Sequence, residues 1–516
     1  MALVRNIATV GAATMLSRVL GFARDVMIAA AFGAGALTDA FFVAFQMPNL
    51  ARRLMAEGAL NAAFVPLYLR AHDERGVEAS GAFAGRVIGT SIVVLGAAAL
   101  VAALAMPVIV LLLAPGFGWS DPRLGAAVEF ARLMLPYLVV AGPLAALMGV
   151  LNAHHRFGAT ALATIAFNLV LVLVLAAMLA GPWRREGAMG HALAAAVGLA
   201  GLAQLVLVAL VVWRGAERAS PLAVSFGSEM RGFVALAVPG LVASGIPQLT
   251  LIAGSMVASL TPSAISWLYY ANRLFELPLG IVAIAIGTVL VPAFTRALRA
   301  GDRAALVAAE SRGLELALGL ALPASVALLV LAGPIVRALF ERGAFSAEDT
   351  EATALALAAL ALGLPGHVLT KAFAPAFFAR EDTATPMRAA LAGFAVAIAG
   401  SLALFAPLGH VGIALATAAA GWVSAVLLAR AIARRIGFAL DADARRRLPR
   451  IGAAAAGMGV LLAAAEVLLA WPASGAGRLA ALLVLVAFGL AAYVALLQLL
   501  GVARARALIG ALRKPI

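Results

Sequence analysis

The chain has 516 residues, of which 64% are hydrophobic and 12% charged, whereas soluble domains are roughly half apolar and a quarter charged. That balance excludes a soluble globular fold and predicts an all-α integral membrane protein. The formal net charge is +14, but the basic residues gather in loops on one side of the predicted membrane segments, so no nucleic-acid partner is expected. The absence of cysteine excludes disulfides, thiolate metal sites and cysteine nucleophiles.

Apolar segments of about 20 residues, the length a helix needs to cross a bilayer, recur along the whole chain, and strand-like alternation is absent. Cut at charged or Gly/Pro-rich breaks, they give fourteen predicted spans: 6–32, 36–70, 80–113, 123–151, 158–181, 188–213, 230–259, 263–297, 311–340, 351–379, 386–406, 410–436, 450–471 and 478–502. With alternate loops assigned to opposite faces, 25 of the 38 Lys and Arg lie on the side carrying both termini, 5 on the other and 8 within spans. The positive-inside rule then places both termini in the cytoplasm. The stretch from Met1 to Phe32 has charges in its apolar part and no cleavage signal, so it is expected to persist as the first helix.

In the first span, at about 100° per residue, Thr14, Ser17, Arg18, Gly21, Arg24 and Asp25 share one arc of roughly 120°. Leu16, Leu20, Ala23 and Met27 lie opposite. An arginine near the bilayer centre costs from about 2.5 to more than 10 kcal/mol, so such residues line a wet pathway or pair with neighbouring helices. For Arg18 and Asp25 both readings stay open. Gly33 and Gly35, between the first two spans, are hinge candidates or simple turn residues.

The second span repeats the pattern, with Asp39, Gln46, Asn49, Arg53, Glu57 and Asn61 in one arc and Pro48 as a predicted kink and third hinge candidate. Arg53 and Glu57 can pair at i, i+4, with Arg53 as part of the pathway or only an anchor. Arg52 points away from that arc, toward a ligand or another helix. His154 and His155 are adjacent, so they diverge and make no metal pair. In the eighth span Tyr269, Asn272, Arg273 and Glu276 occupy one side. An arginine from each half of the chain facing one cavity suits a pyrophosphate or carboxylate, because a planar guanidinium holds two oxygens at once.

The halves also resemble each other at a spacing of about 226 residues, the register that aligns Ala63-Phe64-Val65-Pro66 with Val289-Leu290-Val291-Pro292, and Pro107 with Pro334. Two six-helix lobes of equal orientation follow, with a substrate site at their interface and the last two spans outside the repeat. The lysines, Lys371 and Lys514, follow Thr370 and Arg513, so there is no Walker A motif. Zincin and nucleophile-elbow motifs are also absent. The sequence therefore predicts neither an enzyme nor a cofactor or metal.

Ser17-Arg18-Val19-Leu20-Gly21-Phe22-Ala23-Arg24-Asp25, Asp39-Ala40-Phe41-Phe42, Pro48-Asn49-Leu50-Ala51-Arg52-Arg53 and Tyr270-Ala271-Asn272-Arg273-Leu274 closely resemble the MurJ (MviN) lipid II flippase family of the MOP exporter superfamily. So do Lys371-Ala372-Phe373-Ala374-Pro375 and Arg380-Glu381-Asp382-Thr383. The resemblance implies a V-shaped pair of lobes, 1–220 and 221–440, and a C-terminal helix pair, 441–516, grooved for a lipid tail. It implies alternating-access export of the undecaprenyl-pyrophosphate-linked peptidoglycan precursor across the bacterial inner membrane, driven by the membrane potential or an ion gradient. The partners it implies are lipid II, membrane lipids and the cell-wall synthesis machinery.

Carried over by position, Arg18, Arg24, Arg52 and Arg273 would bind substrate. Ser17, Asp25, Asp39, Asn49, Arg53, Glu57, Asn272 and Glu276 would shape the cavity and its gates. Asn272 stands where many relatives are acidic and Ser401 where Asn is common. No acidic residue lies between Met387 and Phe405, so the family's sodium site is not expected. The competing readings are another MOP exporter, for lipid-linked oligosaccharides or drugs, and a non-transporting scaffold.

Overall fold

A computed structural model describes residues 2–56, 59–181, 186–215, 222–299, 303–380, 382–435, 440–469 and 471–502. Among these residues the regular structure is helical throughout, with no strand. Packing divides the chain into two units, Met1–Ser266 and Trp267–Ile516.

The first unit holds α1 (Ala2–Phe32), α2 (Ala36–Ala51), α3 (Ala59–Leu104), α4 (Met106–Leu113), α5 (Pro122–Met134), α6 (Pro136–Ala153), α7 (Phe157–Ala180), α8 (Glu186–Trp213) and α9 (Ser228–Ala258). It also contains the first residues of α10 (Ala264–Arg299). Helix α2 passes through Pro48 and loosens into a π-helical turn over Arg52–Ala56, a local widening that recurs at functional sites. Pro122 and Pro136 open α5 and α6, where a missing N–H leaves no helical partner wanting.

Helix α3 would be about 70 Å long if straight, twice what one crossing needs, and it turns back at Gly76, where φ is +83°. Only glycine takes that left-handed conformation without strain. The folding back is visible in its contacts: Phe64 stacks on Phe83 at 5.5 Å, and His72 Nδ1 lies 3.3 Å from Ser80 Oγ. The unit's core forms around this hairpin, where Phe64, Tyr68, Phe83, Leu144, Leu151, Val208 and Phe233 are buried. Gly149 of α6 lies against the Phe64 ring, where any β-carbon would collide.

The second unit contains the rest of α10, then α11 (Arg303–Val330), α12 (Ala332–Phe340), α13 (Ala347–Ala361), α14 (Leu364–Phe378), α15 (Ala384–Arg435), α16 (Ala442–Leu468) and α17 (Gly475–Leu499). Ser346 and Asp349 form a capping box at α13, and Asp441 and Ser474 cap α16 and α17, satisfying amides that the helices leave open. Helix α15 is a second hairpin, reversed at Gly409 with φ +54°. Its close approaches pair Gly412 with Leu404, Gly400 with Ala416 and Gly393 with Ser424, an antiparallel register held by small residues. Helices α16 and α17 dock on α11 through Leu331, Met458, Leu462, Leu485 and Tyr493, whose hydroxyl donates to Gly319 O at 2.8 Å.

Among the described residues eight helical stretches qualify as membrane spans by length and apolarity, nine if α13 and α14, bent by 41°, count as one. Two of the eight are hairpin-containing stretches, Ala36–Leu104 and Ala384–Arg434, too long for a single crossing. Large apolar side chains such as Leu104, Val467 and Leu468 are exposed, as lipid-facing residues are. The chain is a multi-pass membrane protein.

Candidate functional site

In the first unit, α1 packs along α7, and the buried side of α1 carries Ser17, Gly21, Arg24, Asp25 and Ile28. Arg24 is 6% exposed and Asp25 fully buried. The Arg24 fork donates to Asp25 Oδ1 through Nε (3.0 Å) and Nη2 (2.7 Å), and its Nη1 donates to Asn168 Oδ1 of α7 at 3.1 Å. Asn168 Nδ2 in turn donates to Ser17 O (3.2 Å), Ser17 Oγ (3.3 Å) and Thr164 O (3.3 Å). The guanidinium carbon of Arg24 lies 5.3 Å from the centre of the Phe45 ring of α2, a cation–π distance. Asp25, Asn168 and Phe45 thus hold the Arg24 guanidinium in place. Arg18 and Thr14 of the same arc are exposed instead, and among the described residues Arg18 makes no ion pair.

The polar arc of α2 meets the segment from α9 to the start of α10 at heptad intervals. Asp39 accepts from Ser263 N (2.7 Å), Ser266 N (3.0 Å) and Ser266 Oγ (2.6 Å). One heptad on, Gln46 Nε2 donates to Ser255 Oγ at 2.8 Å. Another heptad on, Arg53 Nη1 donates to Gln248 Oε1 at 3.1 Å. Asp39 supplies acceptors to the open amides of a helix start, where negative charge is also favoured by the dipole. Arg52, off this seam, donates to Asn49 Oδ1 at 2.9 Å within the π-helical turn. Glu57 lies outside the described residues.

Beside Asp39, Arg123 ties several elements together. It donates to Asp121 Oδ2 through Nε (2.9 Å) and Nη2 (2.7 Å), to Ser259 O (3.3 Å) and to Gly116 O (3.5 Å). Its nearest approach to Asp39 is 3.9 Å, and it covers the Phe117 ring at 4.5 Å. Gly116 rests directly on the Ser259 backbone with no room for a side chain. In the loop before α5, the hydrogen bonds and charge of Arg123 hold the Asp121 carboxyl below the usual carboxylate range.

In the second unit Arg273 Nη1 and Asn272 Nδ2 both reach Glu276, at 3.5 and 3.3 Å, all half-buried on one face of α10. Among the hinge candidates, Gly33 has φ +65° and closes the turn after α1, Gly35 is extended at φ −174°, and Pro48 is buried within α2. Among the described residues no three His, Cys, Asp or Glu side chains gather as a metal would require.

Asn168, Arg123, Gln248 and the serines at 255, 259, 263 and 266 were not singled out from sequence. Asn168 carried a legible signal, since it is the one carboxamide in the span 158–181. The serines carried none, because hydroxyls are common in membrane helices and their partners are more than 130 residues away.

The family model described as "Lipid II flippase MurJ" matches residues 28–483. A probable lipid II flippase MurJ of Rhizobium meliloti strain 1021 is 42% identical over 481 residues, covering 93% of this chain and 90% of that one. The lipid II flippase MurJ of Burkholderia cenocepacia is 33% identical over 445 residues, covering 84% of each. A solved structure, "Lipid II flippase MurJ, inward closed conformation", superposes with a TM-score of 0.78 at 23% identity, covering 94% of this chain and 97% of that one. An inward-facing MATE transporter of the MOP superfamily shares the fold at a TM-score of 0.67 and 13% identity, covering 83% and 98%. The helical fold and these sequence matches agree, and the chain belongs to the MurJ family of lipid II flippases.

Proposed function

We propose that this chain exports lipid II from the cytoplasmic to the periplasmic leaflet of the bacterial inner membrane by alternating access, with fourteen spans, both termini cytoplasmic and lobes at 1–220 and 221–440. The observation that carries this reading is Arg24, charged and fixed by Asp25 and Asn168 inside an apolar helix seam, with exposed Arg18 less than two turns away. Such guanidinium groups replace the water a diphosphate loses on entering hydrocarbon. Arg18, Arg24 and Arg52 of the first unit and Arg273 of the second are the groups proposed to meet the diphosphate. The helix pair in 441–516 would guide the lipid tail. Asp39, Asp25 and Arg53 would shape and gate the path, with Gly33, Gly35 and Pro48 absorbing the backbone change.

The chain carries no catalytic role in this reading and needs no cofactor. Its drive is the membrane potential, which supplies about 2.3 kcal/mol per charge per 100 mV, or an ion gradient. Membrane lipids and the cell-wall synthesis machinery are its expected partners. The test is reconstitution in liposomes with head-group-labelled lipid II, with and without an imposed potential. Protein-dependent translocation supports the reading, and none under any gradient refutes it.

A further inference from the structure

A second buried amide stands behind the one that holds Arg24. The predicted spans 158–181 and 188–213 each contain one carboxamide, Asn168 and Gln204. Polar side chains in such segments need partners within the protein, because hydrocarbon supplies none. Gln204 of α8 is buried, and its Nε2 donates to Ala163 O of α7 at 2.9 Å. Since a carbonyl only accepts, this bond fixes which end of the amide is the donor and leaves Oε1 as an acceptor. The hydroxyl of Tyr137 on α6 donates to it at 3.3 Å.

Tyr137 is itself closely seated. Gly201, one turn before Gln204 on α8, leaves a notch for its ring: a β-carbon there would come within 2.6 Å of Tyr137 Cδ2. The ring also meets Phe167 of α7 edge-on, with centres 5.5 Å apart, and Phe167 directly precedes Asn168.

These contacts grip α7 from a different side than α1 does. At 100° per residue Ala163 and Asn168 lie about 140° apart around the helix. From α8, Gln204 holds the first position. At the second, Asn168 accepts from Arg24 at 3.1 Å and donates to Ser17. Turning α7 by about 15° would carry a group about 5 Å from its axis through about 1.3 Å; applied along the Arg24 bond, that exceeds hydrogen-bonding range. Hydrogen bonds between uncharged side chains add little to the stability of membrane helices, so stability alone gives little reason for an amide at 204. What an amide supplies there, and an apolar side chain does not, is a fixed angle for α7.

We propose that Gln204, oriented by Tyr137, is a positioning residue for lipid II transport: it sets the rotation of α7 and so holds the Asn168 amide where it fixes Arg24. This rests on the flippase reading above and adds a layer of support behind one of its substrate-binding arginines.

The test is a double-mutant cycle on the full chain in liposomes with head-group-labelled lipid II, at matched protein levels. Gln204→Leu keeps the bulk and removes both hydrogen bonds. It is expected to slow translocation at sub-saturating lipid II at least about fivefold, within the range of couplings inside one hydrogen-bonded network. In the Asn168→Ala background, where the amide it positions is gone, the same change should cost less than about twofold. An equal loss in both backgrounds, or a wild-type rate in Gln204→Leu, overturns the proposal and leaves the flippase reading intact, whereas no translocation by the wild type overturns both. Tyr137→Phe keeps the ring in its notch and removes only the hydroxyl, and it runs the same cycle under the same criterion should Gln204→Leu fail to fold. Nitrogen-15 NMR of the Arg24 guanidinium, assigned by its loss in Arg24→Lys, reads the site without relying on transport. Separate Nη signals in the wild type that merge in Gln204→Leu support the proposal, because a loosened fork rotates faster; identical Arg24 spectra in the two overturn it.

Discussion

Asn168→Ala separates a positioning amide from one that merely fills space. Asn168 is the one α7 side chain in the seam that both accepts from Arg24 and donates to Ser17. A hydrogen bond to a charged group contributes about 1.5–3 kcal/mol, while uncharged side-chain bonds between membrane helices average about 0.6. Truncation to alanine also leaves Arg24 Nη1 facing a void. A combined loss of about 2 kcal/mol is expected, which lowers the share of molecules holding Arg24 in place by about 30-fold. The measurements are the unfolding transition in detergent and the initial rate of lipid II translocation in liposomes, at matched protein levels. Asn168→Asp supplies the internal control: a carboxylate still accepts from Arg24, so this variant should recover more of the rate than alanine does. If alanine and aspartate variants both melt and transport as the wild type, Arg24 is not positioned by α7 and the proposed basis of its role is wrong.

Three further outcomes follow from the same geometry. Arg24→Lys keeps the charge but loses the fork that spans Asp25 and Asn168, so transport should fall at least about tenfold, and Arg24→Glu should abolish complementation of a depleted strain at normal membrane abundance; growth on Arg24→Glu would refute the assignment. Gly116→Ala places a methyl group against the Ser259 backbone and should cost about 1–3 kcal/mol, seen as a lower unfolding temperature, whereas Gly118→Ala, with open space beside it, should be silent. Asp121 has a carboxyl pKa depressed by Arg123, so its contribution, about 1 kcal/mol or less for a partly exposed pair, is present above the unfolded value near 4 and fades as pH falls through the folded one. Wild type and Asp121→Asn should thus differ in melting temperature at pH 6 and converge well below pH 4; a gap that widened in acid would show the sign to be wrong.

The helical spans were legible because hydrophobic length is nearly all a membrane helix needs. The expected 158–181 and 188–213 coincide closely with Phe157–Ala180 and Glu186–Trp213. The periodicity of the first span likewise grouped Ser17, Gly21, Arg24 and Asp25, which lie together on the buried side of α1. It did not distinguish Arg18, exposed at one edge of that arc, from Arg24, buried at the other, because a 100° rule gives direction without saying which helix lies there. The arc Asp39–Gln46–Arg53 was visible for the same reason. Its counterparts Ser263, Ser266, Ser255 and Gln248 were not, since their role arises only when a segment two hundred residues away is laid alongside. Pro48, expected to kink the second span, lies within α2, and a π-helical turn follows it over Arg52–Ala56.

The reversal at Gly409 bears on how the chain is made. With its halves in contact from Leu404 and Gly412 onward, no hydrophilic connector separates them. The pair should therefore leave the translocon laterally as one body, and a nascent chain halted between the arms would wait there, half released, for its second strand of helix.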